Sequence, residues 1–151
     1  MKHDPWFHTS QPHSVYALHG LASFGQDLLA LDSVRGYLLQ VSCTTDNTTV
    51  LNPEHAREFI GATGLAFCEN TLWFCRDERV YFCPFVSPSS IETSTAIDLH
   101  PKPFVTLPHS ADGVAVWQTT VYVSCQRTGY IYVFNRETAQ EIARFYAPGV
   151  G

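Results

Sequence analysis

The sequence predicts an all-β fold: three four-stranded antiparallel blades of propeller type, together an incomplete, open β-propeller. Three observations predict it. The triplets Gly20-Leu21-Ala22, Gly64-Leu65-Ala66 and Gly113-Val114-Ala115 recur at intervals of 44 and 49 residues, within the period of roughly 40–50 residues typical of propeller blades. Each triplet opens the same succession of short apolar runs. Those runs are rich in Val, Tyr, Leu, Phe and Trp, and polar turn residues separate them, which reads as strands joined by hairpins.

The elements follow in order within each unit. The first strand is Leu21 to Phe24, Leu65 to Cys68 or Val114 to Trp117. A polar turn leads to the second: "LLAL", "LWFC" or "VYVS". After a polar link comes the third: "YLLQV", "RVYFC" or "YIYVF". A looser fourth segment ends the unit: "TTVLN", "FVTLP" or "EIARFY". Alternation of apolar and polar residues is only partial, as expected for sheets buried on both faces. The Gly-apolar-Ala strand is placed innermost, because glycine has no Cβ to clash at a crowded axis. Aromatic residues of the middle strands, with Trp73 and Trp117, are assigned to packing between blades. One helical segment is predicted over Asn52 to Ile60, with Asn52 as its cap and Pro53 in its first turn.

The predicted organisation is a flexible segment over residues 1–12, then a partial propeller over 13–151. Its blades fall at about 13–59, 60–104 and 105–148.

The stretch "DGVAVWQTTVYVSCQRTGYIYVFNRETAQEIARFYAPG", Asp112 to Gly149, resembles a repeat of the NHL and YVTN-type β-propellers. Those repeats run as a Gly-apolar-Ala strand, a "VYV" strand, a Gly-apolar-x-Val-Phe strand and a Thr-containing turn. The first unit matches less well, and the second departs from the pattern around Arg76 to Arg79. There is a fainter similarity to bacterial propellers that precede a transglutaminase-like domain, and nothing in these residues resembles that catalytic domain.

Propellers close with about four to eight blades, so three leave two raw, aromatic-rich sheet faces. A soluble monomer rarely exposes such faces. The sequence ends on "APGVG", where Gly149-Val150 stands at the start of a fourth motif. The expectation is that the chain is the N-terminal piece of a longer propeller, or that copies assemble into one ring. "HSVYALHG", His13 to Gly20, fits a lone outer strand completing the last blade of a closed parent ring. The expected partners are therefore the missing blades or a second copy of the chain, with a protein partner as a further candidate.

Composition narrows the function classes. The formal net charge of −5 and the lack of Lys/Arg runs argue against nucleic acid or an anionic membrane as a partner. No run has the length of a membrane helix, and no apolar core of a signal peptide follows Met1. Five cysteines, with no C-x-x-C pair, read as free thiols in a reducing cytoplasm. They are expected to be small buried strand residues. His3, His8 and His13 recur every five residues, which fits neither a helix face nor a strand face. No metal site and no cofactor is expected. "HSAD", His109 to Asp112, holds Ser, His and Asp, but four neighbours in one turn do not converge as a triad must. It is read as an inter-blade loop.

The candidate ligand-binding residues come from register. His19, Thr63 and Asp112 directly precede the three inner-strand glycines. In a propeller they gather at one mouth of the central channel. Calcium-dependent lactonases on related propellers use acidic residues near that axis. Here only Asp112 is acidic, a poor cage for a hard cation. The leading functional expectation is a non-catalytic binding or scaffold module. The rival is part of a lactonase-like hydrolase acting at the channel mouth, and a third reading is a gene fragment without independent function.

Overall fold

The computed structural model describes residues 16–85 and 99–147. Twelve strands form three four-stranded sheets, each antiparallel and up-and-down. The first holds β1 (Leu18–Phe24), β2 (Asp27–Asp32), β3 (Tyr37–Val41) and β4 (Thr48–Val50), in that order. The second holds β5 (Ala62–Cys68), β6 (Thr71–Arg76), β7 (Arg79–Pro84) and β8 (Lys102–Thr106). The third holds β9 (Gly113–Trp117), β10 (Thr120–Cys125), β11 (Tyr130–Asn135) and β12 (Glu141–Tyr146). Among the described residues, strands pair only within their own repeat, so each copied unit is one blade.

Turn chemistry sets the hairpins. Glu69 and Asn70 both take positive φ between β5 and β6, as the tightest twisted hairpins require. The β2–β3 link is built by Asp32, whose Oδ1 accepts from the backbone N–H of Val34 and Arg35 at 3.0 and 3.1 Å. Its Oδ2 accepts from Arg35 Nη1 at 2.8 Å. That link ends on Gly36 at φ 79°, and its counterpart in the third blade ends on Gly129 at φ 76°.

Two cores join the blades. Between the first and second lie Phe24, Leu29, Leu31 and Leu38 against Leu65, Leu72, Phe74 and Phe85. Between the second and third lie Trp73, Cys75 and Val80 against Val121, Val123, Tyr132 and Phe134. Alternation along each strand sends successive side chains to opposite faces, so Leu72 and Phe74 point to one neighbour while Trp73 and Cys75 point to the other. The second blade is thus apolar on both faces. Each core joins neighbouring blades only, and the row of three stays open.

Glycine permits the inner strands to meet. A Cβ built on Gly20 would lie 2.9 Å from Leu65 Cβ, and one built on Gly64 would lie 2.9 Å from Gly113 Cα. Real Cβ atoms do not approach that closely, so both positions need a bare backbone.

Three expectations are corrected. The segment at Asn52–Ile60 is not a capped helix but a 3-10 turn over Ala56–Phe59, preceded by His55 with no side-chain cap. Asn52 is instead recruited by the edge of β3: its Oδ1 accepts from Leu38 N at 2.7 Å and its Nδ2 donates to Gly36 O at 3.0 Å. The turn serves mainly to bury Phe59 against Phe74, with ring centroids 4.6 Å apart. Trp117 does not pack between the described blades. It is 65% exposed, because it lies on the face of β9 turned away from the second blade. Finally, Leu18 to Gly20 are not a separate outer strand. They pair with Leu31 and Asp32 of β2 as the beginning of the inner strand β1. The rest of that stretch, His13 to Val15, lies outside the described residues, as do residues 1–12 with His3 and His8, and Gly149-Val150.

Candidate functional site

The loops that would surround a channel mouth are the β2–β3, β6–β7 and β10–β11 turns and the links between blades, which all fall at one end of the sheets. At that end, the link from β8 to β9 is tied to the β6–β7 turn by backbone bonds. Leu107 N donates to Glu78 O and Ala111 N to Asp77 O, both at 2.7 Å. The link therefore stands as a wall, and beside it opens a cleft of about 820 Å³. Glu78, His109, Ser110, Asp112, Gln126 and Arg127 line it.

The three residues chosen by register are placed differently from one another. Their neighbouring glycines bring the backbones to one inner rim, since a Cβ on Gly20 would meet Gly64 and Leu65, and one on Gly64 would meet Gly113. The side chains do not share one cavity. Asp112 lines the cleft, and its Oδ2 accepts from Gln126 N at 2.6 Å, bracing the β10–β11 turn. Thr63 is half-buried and its hydroxyl donates to Ala111 O at 2.9 Å, tying the second blade to the link. His19 is exposed and lines a separate depression of about 350 Å³ with Leu18, Gly20 and Leu21.

The cleft therefore offers acids at Glu78 and Asp112, basic side chains at His109 and Arg127, and hydrogen-bonding groups at Ser110 and Gln126. Such a set suits polar recognition by mixed charge. Among the described residues Asp112 accepts instead from the backbone N–H of Gln126, and four neighbours in one link do not converge as a triad must. Among them, too, no group of three His, Cys, Asp or Glu side chains could hold a metal ion. Burial pushes the Cys75 thiol up to about 12, with the Asp112 carboxylate adding to the effect, and burial raises Cys83 to about 12. Neither supplies a thiolate near neutral pH. Cys125 is also buried, Cys68 is half-buried, and Cys43 is exposed.

Glu78, Gln126 and Arg127 were not singled out by the sequence. They sit on hairpin turns of two different blades, and only the stacking of those blades brings them to one cleft. The signal was present in register: "RDE" and "CQRTG" occupy the same link of their repeats.

A second concavity lies at the opposite end of the sheets, again between the second and third blades. It encloses about 540 Å³. Trp73, Phe82 and Phe104 form its aromatic wall, and Glu69 and Arg136 stand on its rim.

Among the described residues no helix is long and apolar enough to cross a membrane. No protein-family model matches the chain, and no curated protein matches its sequence. Solved structures do share the fold. Myxococcus xanthus glutaminyl cyclase is similar over 86% of this chain and 53% of its own, with a TM-score of 0.59 and 16% identity. The WD40 β-propeller domain of Doa1 is similar over 86% of this chain and 40% of its own, with a TM-score of 0.55 and 10% identity. The computationally designed Ika4 protein is similar over 88% of this chain and 74% of its own, with a TM-score of 0.53 and 16% identity. At these identities the likeness is one of fold, and the fold of this chain is a run of β-propeller blades.

Proposed function

We propose that the chain is a non-catalytic binding module, a partial propeller of NHL/YVTN-type repeats whose third blade docks a further blade of the same kind. The observation that carries this reading is a register equivalence. Gly20, Ala22 and Phe24 face the second blade, and Phe24 is only 5% exposed there. The matching residues of the third blade are Gly113, Ala115 and Trp117. Behind them Tyr122 and Ile131 match the buried Leu29 and Leu38. Leu31 is the exception, its counterpart being the polar Ser124; the others named here have apolar or small counterparts in the third blade, with no described blade to meet them.

Gly113 sharpens the point. Among the described residues, a Cβ at this position would meet only Ser124 Oγ, at 2.9 Å, a side chain of its own blade. Glycine is not demanded there by the described neighbours, whereas Gly20 and Gly64 are pressed against the next inner strand. A fourth inner strand would make the same demand of Gly113. In this reading the cleft around Asp112 belongs to the loop face, where a polar loop or small ligand is recognised. Its carboxylate and the Thr63 hydroxyl are engaged in bracing the link, which favours binding over hydrolysis.

Sedimentation velocity of the 151-residue chain tests the docking face. In a pure preparation the blade at hand is that of a second copy. The expected result is concentration-dependent association that Trp117→Glu weakens by at least about tenfold, as for a central aromatic anchor. Gly113→Ala is expected to weaken it as well while leaving the melting temperature of the chain unchanged. A monomer across the micromolar range, indifferent to both substitutions, overturns the proposal.

A further inference from the structure

We infer that the rear face of the first blade, the face turned away from the second, is the docking site of this chain's own N-terminal segment, residues 1–15. This face is distinct from the docking face of the third blade, and the inference does not rest on that one.

In each repeat one row of cross-strand partners faces backward. It is Val114, Val123 and Tyr132 in the third blade, and Leu65, Phe74 and Tyr81 in the second. Each of these rows packs in the core shared with the preceding blade. The same row in the first blade is Leu21, Ala30, Leu39 and Val50. No described blade precedes it.

The middle of that row is nevertheless closed: Ala30 is 0% exposed and Leu39 1%. An alanine can be screened by longer neighbours. Leu39 is the longer one here, because its cross-strand partners are Ala30 and Val50. The cover is also narrow. Leu21, at the inner end of the row, is exposed, whereas its counterpart Leu65 is buried beneath the first blade. A docked blade would close the inner strand as well, so the occupant is a single stretch of chain lying across β2 and β3. The forward face of the third blade gives the contrast. There Trp117 is exposed, Tyr122 and Ile131 are half-buried, and of its apolar residues only the small Val133 is closed.

Connectivity selects the stretch. Residues 86–98 join β7 to β8 in the second blade, and 148–151 follow β12 of the third. Residues 1–15 lead into the first blade. Their point of entry is held at the β2–β3 turn: Ala17 O accepts from Ser33 N at 3.1 Å, and the Arg35 guanidinium stands 5.9 Å from the centre of the Tyr16 ring. Ala30 and Leu39 lie just inside that turn, and fifteen residues reach up to about 50 Å when extended. The segment carries the adjacent rings of Trp6 and Phe7, the large apolar groups that such a patch takes. A row of repeats needs a terminal cap. With this one in place a further blade joins only at the third blade, and copies do not stack head to tail into a fibre.

Methyl groups test the cover. The full chain is isotope-labelled at its alanine and leucine methyls and titrated with a soluble gadolinium chelate. Ala30 and Leu39 are assigned by their loss in Ala30→Ser and Leu39→Met. Both should be as protected as Ala62, which is buried in the first core, while Leu21 broadens. Nuclear Overhauser contacts should join the Ala30 or Leu39 methyls to the ring of Trp6 or Phe7. Trp6→Ser and Phe7→Ser, made together, should open Ala30 and Leu39 to the chelate as fully as Leu21 and leave Ala62 protected. Methyls that stay protected in the double variant overturn the inference. So does wild-type protection that fades on dilution, because the cover is then a second copy.

Discussion

Gly64 and Gly113 lie back to back across two blades, and a side chain on Gly64 would reach to 2.9 Å from Gly113 Cα and 3.1 Å from Val114 N. The neighbouring atoms are backbone, so neither rotates aside. Gly64→Ala therefore has to part the inner strands β5 and β9. A loss of about 1–3 kcal/mol is expected, the range for overpacking. Gly113→Ala meets only a rotatable hydroxyl and should be close to neutral. Urea unfolding of the two variants checks the contrast, and equal losses would mean the inner strands do not touch as described.

Tyr132 and Trp117 were both natural choices for inter-blade packing, and the structure separates them. Tyr132 is buried between the second and third blades, so Tyr132→Ala should cost about 3–5 kcal/mol. Trp117→Ala should change the stability of the monomeric chain by no more than about 0.5 kcal/mol, as at ordinary surface positions. Denaturant midpoints at low protein concentration decide this.

Asn52 replaces a missing piece of ladder at the end of β3. Asn52→Ala leaves the Leu38 N–H and the Gly36 C=O buried without partners, at an expected cost of about 1–3 kcal/mol. Asn52→Asp keeps the acceptor for Leu38 but loses the donor to Gly36. It should fall between wild type and alanine at pH 5 or above only if desolvation of the new charge is small; hydrogen exchange at Leu38 reports which bond survives.

Acid should loosen the first blade through Asp32. Burial acts to raise its pKa, but the Arg35 guanidinium and the N–H groups of Arg35 and Val34 outweigh it, so the carboxyl sits below its ordinary value. The stabilisation is therefore complete above the unfolded aspartate value of about 3.9. It is lost as pH falls below that value and through the lowered folded one. Thermal melts from pH 6 to pH 2 should show this loss in wild type. In Asp32→Asn this contribution should be absent, leaving a shallower pH dependence and a lower plateau.

The repeat made the fold legible. Three Gly-apolar-Ala triplets, each followed by runs of strand length, placed all twelve strands because strand formation here depends on local pattern and turn chemistry. Register likewise chose Asp112, which does line a cleft. It could not reveal that Asp112 braces Gln126, that Thr63 is engaged with Ala111, or that His19 stands apart. Those outcomes depend on how one blade sits on the next, through contacts between residues dozens of positions apart.

The sequence by itself determined the unit: which residues make strands and where the chain turns. Only the tertiary structure decided the partners. It turned Asn52 from a helix cap into a strand surrogate, because an open backbone edge lay within reach of its amide. It left Trp117 uncovered while enclosing Trp73, because alternation gives every blade two faces and the third blade has a described neighbour on only one.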